Sequence, residues 1–416
     1  MAGIPHDPGL DNSLALLKEG YTFISSRCAR YRSDIFTTRL MLKTAYCVLG
    51  EDAARMFYHP GRFTRQGAMP PITMRLLQDK GSVQPLDGDA HRHRKQLFME
   101  MMTPEQMQRL HTIATSQWQQ AIERWQRDDE IVLMNAAREL LCRIACAWAD
   151  VPLNATQAQK RTREFAAMLD GAASVGPRSW RGLWLRRHTE RWAEEIIRQI
   201  RKDELLPADG SPAALIAYHR DRQGRWLDEN DAAVELLNVL RPIVAVGRFI
   251  AYAALALHDY PQARESLHGG GEAARRAFAQ EVRRFYPFFP MIGGRVREPF
   301  EWRDHRFAHG DWVLLDIYGT NHDPRSWEAP DAFRPERFAS GNDAGYAFIP
   351  QGGGDLYNGH RCPGEGVAVA LIEIAIDKLT SAMTYDVPRQ NLAVDLSDLP
   401  AAPKDRFRIR NVVARD

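Results

Sequence analysis

The densest chemistry in this chain lies in GHRCPGEG, residues 359–366, where Cys362 stands between the pair His360–Arg361 and a proline–glycine turn. The residues that follow, VAVALIEIAIDKLTSA, are mostly apolar and helical in period. Pro363 suits the first position of that helix, since its missing N–H would have no partner there. Cys362 therefore faces a helix N-terminus, whose partial positive charge and unpaired N–H groups favour thiolate over thiol. A thiolate so placed serves an electrophile or a metal. Zinc would need further paired ligands such as C-x-x-C, and covalent haem attachment would need C-x-x-C-H; the chain has neither. A cysteine nucleophile would need an activating histidine, for which His360 is a slender basis, and a capped structural cysteine is the plain alternative. The neighbours favour ligation of haem iron. Gly352, Gly353 and Gly354 allow close backbone approach to a flat ring, and His360 and Arg361 can meet anionic propionates.

A second constellation is Arg241–Pro242 inside ELLNVLRPIVAVGRFIAYAALALHDYP. An arginine among Leu240, Ile243 and Val244 is costly to bury without an anion. Pro242 removes one N–H and crowds the carbonyl of Asn238, so the helix is expected to open or kink there. Kink and cation together form a small anion pocket; an arginine on a polar helix face, paired with a nearby carboxylate, is the other reading. Upstream, DGDAHRHRKQLF reads as a helix start capped by Asp87 or Asp89. His91 and Lys95, four apart, share one face while His93 points elsewhere, and a zinc pair of the two histidines lacks further ligands. EVRRFYP sets Glu281 and Arg284 at i and i+3, the spacing of an ion pair.

These groups must be held by a mainly helical chain. Helical periodicity dominates 104–127, 130–150, 157–170, 178–204, 229–257, 272–286 and 363–384, whereas 35–50 and 301–318 read as strands. The turn-rich stretch 319–361 is long enough to be functional in its own right. No repeat, low-complexity tract or linker divides the chain, so residues 1–416 are expected to form one domain, mainly α with small β-sheets. With 416 residues, 44% of them hydrophobic, a large core is expected, and a net charge of +2 argues against nucleic acid as a partner. The five cysteines, Cys28, Cys47, Cys142, Cys146 and Cys362, are an odd number and suit a reducing compartment. Cys142 and Cys146, one turn apart, read as small core residues. The N-terminus lacks the apolar core of a signal peptide and no stretch is expected to reach the length of a membrane span, so a cytoplasmic protein without a transmembrane segment is expected. RSWRGLWLRRHTERW, residues 178–192, reads as a solvated amphipathic helix covering a substrate channel, with contact to a membrane or fatty-acid surface as the rival.

Taken together, H-x-C-x-G at His360, Cys362 and Gly364, E-x-x-R at Glu281 and Arg284, and PERF at 335–338 with Arg337 as a third member, in this order, resemble the cytochrome P450 superfamily. The resemblance runs over nearly the whole chain. It implies the triangular haem-thiolate fold, with haem b held by Cys362 and a thiolate that favours O–O cleavage. Ordinary dioxygen-using members carry an acid followed by an alcohol in the long helix, where this chain has Arg241–Pro242. That replacement, with VQPLDGDAHRHRKQLF at 83–98, EVRRFYPFFP at 281–290 and IPQGGGDLYNGHRCPGE at 349–365, resembles the bacterial hydrogen-peroxide-dependent fatty-acid hydroxylases.

This narrower resemblance implies that Arg241 holds a fatty-acid carboxylate beside the iron and that the carboxylate does the acid–base work. Hydrogen peroxide and a medium- or long-chain fatty acid are then the partners, with no obligatory redox protein. Gln84 falls on the distal side, where decarboxylating relatives tend to carry histidine, so hydroxylation at the α or β carbon is expected over alkene formation. His91 and Lys95 are expected near the propionates. Phe288, Phe289 and Met291 are expected along the acyl channel, with plain core packing as the rival. Leu77 and Gln78 fall where the subfamily has a bulky apolar residue that selects the oxidised carbon, and the glutamine departs from that pattern. The competing functions are a monooxygenase fed by a redox partner, a fatty-acid decarboxylase, and a haem or fatty-acid sensor without turnover.

Overall fold

The computed structural model describes residues 3–415 apart from 79, 80, 175, 342 and 343. Helix starts follow the local chemistry. Thr103 accepts from the N–H of Gln106 with Pro104 at the first helical position, and Asn154 and Gln157 cap each other reciprocally. Asp228 accepts from the N–H of Asp231 and opens the long apolar helix Glu229–Ala245. That helix and its continuation, Gly247–Asp259, run through the middle of the largest core cluster. They pack against the helices Leu133–Ala149 and Pro177–Arg201 on the side of earlier chain, and against Gly271–Phe285 and Glu365–Asp377 on the side of later chain.

The strand segment 35–50 resolves into the hairpin Ile35–Leu40 and Lys43–Val48, and 301–318 into Phe300–Trp302, His305–Phe307 and Trp312–Asp316. The hairpin leads a five-stranded sheet that continues through Trp312–Asp316 and Met291–Val296 to Phe63–Thr64; only the Lys43–Val48 and Trp312–Asp316 pair is parallel. A three-stranded sheet joins Ile131–Val132, Arg408–Ala414 and Met383–Asp386. Strands distant in sequence thus close small sheets around a helical body.

Three expectations need correction. The helix after Cys362 begins at Glu365, so Pro363 sits in the preceding turn and not at the first helical position. The long helix does not break at Asn238–Pro242 but runs through Pro242 to Ala245 and breaks at Val246. Pro242 lies on the exposed side, so its ring displaces no packed neighbour. At the break, the Val246 N–H turns to the Ile243 carbonyl at 3.1 Å, and Gly247 packs so closely on Arg138 that a Cβ would lie 2.9 Å from Cγ. Finally, Glu229–Asp259 is long and apolar enough to cross a bilayer, although its most apolar window is 89% buried in the core.

Candidate active site

Cys362 is half-buried at the end of the glycine loop, its N–H donating to the Gln351 carbonyl at 3.0 Å. Gly353 has no room for a side chain: a Cβ would lie 2.9 Å from Ile349 Cγ2 and 3.1 Å from the Tyr58 ring. Around the sulfur runs a polar chain absent from the sequence reading. Arg283, 1% exposed, donates to Gln351 Oε1 at 3.0 Å and pairs with Glu365 at 2.5 Å, which pairs in turn with Arg361 at 2.6 Å. Without a bound metal, burial pushes the Cys362 thiol up, against the opposing pull of the Gly364 N–H, Lys95 and Arg283. The helix start alone therefore does not ionise this sulfur, whereas coordination to a metal ion would.

Beside the loop stand four groups able to carry positive charge: Arg65, His91, Lys95 and His360. The His91 and His360 rings lie 4.1 Å apart. Lys95 donates to the carbonyls of Gly359 and Arg361, both at 2.5 Å. Burial, then the neighbouring cations, pulls His91 down to about 4 and His360 to about 2; burial pulls Lys95 down to about 8. Arg65 was not foreseen. It is 6% exposed, lies over the Phe57 ring at 4.3 Å, and leaves Nε without an acceptor among the described residues.

The Glu281–Arg284 pair is formed at 2.8 Å with both residues fully buried, and Arg337 reaches Glu281 at 3.2 Å. Arg284 also donates to the carbonyls of Asn321, Pro330 and Ala332, tying the meander to its helix.

Arg241 is 3% exposed. It donates to the carbonyls of Leu76, at 3.3 Å, and Leu77, and to Asn238 Oδ1 at 3.0 Å. The Asn238 amide donates in turn to Gln84 Oε1 at 3.4 Å and to Glu235 Oε2 at 2.9 Å, and Arg94 pairs with Glu235 at 2.8 Å. Burial raises Glu235, against the pull of Arg94. The structure thus joins Arg241 to Gln84 through Asn238, a residue the sequence reading used only as a carbonyl, and to Leu77 directly. The available signal was the spacing of Glu235, Asn238 and Arg241, a polar stripe at i, i+3 and i+6 on an apolar helix.

The expected channel residues divide. Phe288 stacks on Phe249 with ring centroids 4.2 Å apart, against the long helix. Phe289 is 40% exposed, and Met291 packs with the cluster of Phe23, Phe36 and Trp312. Gln78 keeps a buried Oε1 without a partner among the described residues. In the basic helix, Trp180 and Trp184 face solvent, as does Arg187, while Cys142 and Cys146 are fully buried as expected.

The cytochrome P450 family model matches residues 276–392. Among solved structures, a variant of cytochrome P450SP alpha (CYP152B1) superposes with a TM-score of 0.95 at 44% identity, over 98% of this chain and 100% of the other. The chain belongs to the cytochrome P450 family. Cytochrome P450EX alpha (CYP152N1), solved with myristic acid, gives 0.96 at 40% identity over the whole of both chains. Cytochrome P450 OleT, solved with arachidonic acid, gives 0.96 at 32% identity over 100% and 99%. Curated relatives match more locally: cytochrome P450 71D18 of Mentha gracilis is 31% identical over 31% of this chain, and the match spans 26% of its own length. This cytochrome P450 is accordingly an oxidoreductase of the CYP152 type, a group of peroxide-using, fatty-acid-oxidising enzymes, and its cofactor is haem b held through a cysteine thiolate. The residues present fit that group. A half-buried cysteine lies behind a loop with no room for a side chain, and cation-capable groups including the orphaned Arg65 Nε await two carboxylates.

Proposed function

We propose that this cytochrome P450 uses hydrogen peroxide, without an obligatory redox partner, to hydroxylate medium- and long-chain fatty acids at the α or β carbon. The substrate carboxylate is seated on Arg241. The observation that carries this reading is Arg241 itself, 3% exposed on the long helix and fixed by the Leu76 and Leu77 carbonyls and the Asn238 amide oxygen in one cluster with Gln84. The fatty acids named for the P450EX alpha and OleT structures support the substrate class.

Cys362 is the residue we assign to the iron, with His91, Lys95, His360, Arg361 and Arg65 toward the propionates. Haem so bound supplies the oxidising chemistry. The chain's own part is to hold a carboxylate and keep it charged. Arg241 can take both carboxylate oxygens in a fork, fixing the substrate's first carbons as well as its charge. Asn238 and Gln84 present amides on the same side. The fixed carboxylate accepts a proton from one peroxide oxygen and returns it to the other, which leaves as water. Overall, one C–H bond and one peroxide give one alcohol and one water. Substrate and base arrive as one object, so peroxide is consumed mainly when acid is present.

The test uses an acid too short to be oxidised. Wild-type holoenzyme with peroxide and no reductase should oxidise an anisole only when such an acid is added. Arg241→Ala should retain haem and lose about 30- to several-thousand-fold of fatty-acid turnover, together with most of that acid dependence. Equal wild-type rates with and without the short acid would overturn the substrate-assisted mechanism.

A further inference from the structure

Seven residues beyond Arg241, on the continuation of the same helix, lies a second buried arginine that this function does not use. Arg248 is 6% exposed, and its Nε has no hydrogen-bond partner among the described residues. Its nearest carboxylate is Asp170, 4.0 Å from Nη2. That carboxylate is already engaged by Arg138, which grips it bidentately at 2.7 and 3.0 Å. Two buried guanidinium groups therefore share one carboxylate. Burial pushes Asp170 up, but Arg138, Arg248 and Arg406 outweigh it and hold the carboxyl below its ordinary value.

Both arginines open onto a cavity of about 870 Å³ between the helices Leu133–Ala149 and Ala155–Gly171, the start of Pro177–Arg201, and the loop 398–406. Arg178 and Arg181 stand on its wall, as do the apolar Ala166, Ala167 and Leu399. Arg248 shares Asp170 with Arg138, and the wall's other carboxylates, Glu139 and Asp398, pair with Arg143 and Lys404, so this half-apolar cavity suits an anion with an apolar body. On its other side Arg248 lies over the Phe288 ring at 5.3 Å, so the cavity adjoins a residue expected to line the acyl channel.

We infer that Arg248 and Arg138 form a second anion site, which takes the carboxylate of an aliphatic acid. The carboxylate has two sources. It can be the head of an acid bound independently of Arg241. It can also be the far end of an α,ω-diacid whose near end sits on Arg241, a form that rests on the proposed function. Seven residues at about 1.5 Å each set Arg241 and Arg248 roughly 10 Å apart along the two segments that meet at Val246, a span that a diacid of about ten to twelve carbons covers.

Calorimetric titration of the haem-loaded enzyme separates these cases. Arg248→Met removes the charge and keeps an apolar stem over Phe288. If the far carboxylate bridges, dodecanedioate should bind wild type about tenfold or more tighter than the variant, while dodecanoate binds both alike. If the site is independent, dodecanoate should bind wild type with one more site than Arg248→Met, and Arg241→Ala should keep that extra site even if Arg241 holds no substrate. Asp170→Asn, which removes the competing carboxylate, should tighten the Arg248-dependent binding several-fold, a gain that a damaged fold would not give. Equal affinity and stoichiometry for both acids in wild type and Arg248→Met, with no tightening in Asp170→Asn, would overturn the site.

Discussion

At the scale of single residues, the placing of Arg241 beside Gln84 hangs on Asn238, whose amide bridges the two. Asn238→Leu keeps the volume and removes both bonds. We expect it to weaken fatty-acid binding about tenfold while haem content holds, read by spin-state titration. Gln84 is the place to probe product choice. Gln84→His sets an imidazole beside the proposed carboxylate and should raise the share of terminal alkene, measured by gas chromatography. An unchanged ratio would place Gln84 outside the reacting zone. Much of this site was legible because it rests on short motifs: Glu281 and Arg284 at helical spacing found each other, and Cys362 lies behind its glycines. Arg283, Arg65 and Glu235 were not legible. Their roles depend on partners 40 or more positions away, such as Glu365 for Arg283, Gly293 for Arg65 and Arg94 for Glu235, and no local pattern encodes those meetings.

At the scale of elements, the sequence located helices well and their ends less well. Pro242 is the expected breaker, yet the break falls at Val246, next to Gly247, which packs directly on Arg138. Gly247→Ala should therefore overpack that crossing and destabilise the protein by about 1–3 kcal/mol in denaturant titrations. The short helix Ile317–Asn321 offers a pH test. Its cap, Asp316, accepts from the Gly319 N–H at 2.6 Å, and burial raises its carboxyl to about 7. Because the folded value lies above the ordinary one of 3.8, the folded chain holds this proton where the unfolded chain has lost it. The contribution is fully present at low pH and fades as pH rises through about 7. Asp316→Asn keeps an acceptor for the cap without the charge, so its gain in Tm over wild type should be larger at pH 8 than at pH 5.

At the scale of the whole molecule, the cofactor and the fold are linked through charge. His91, at about 4 without haem, takes up protons more readily when unfolded, so the haem-free chain loses stability as pH falls below the ordinary histidine range. Propionates beside His91, Lys95 and Arg65 would offset that repulsion. The Tm gap between haem-loaded and haem-free protein should accordingly be wider at pH 5 than at pH 7.5, and a constant gap would count against the propionate assignment.

The buried Glu229–Asp259 pair has a consequence for synthesis. Its first half can settle on helices that the ribosome has already released, Leu133–Ala149 and Pro177–Arg201, whereas its second half also packs on Gly271–Phe285 and Glu365–Asp377. The last of these emerges roughly 120 residues later, on the order of 6–24 s at ordinary elongation rates. For that interval the most membrane-like segment of the chain is only half covered, so slowing translation after residue 260 should raise the aggregated fraction, read by pulse-labelled solubility.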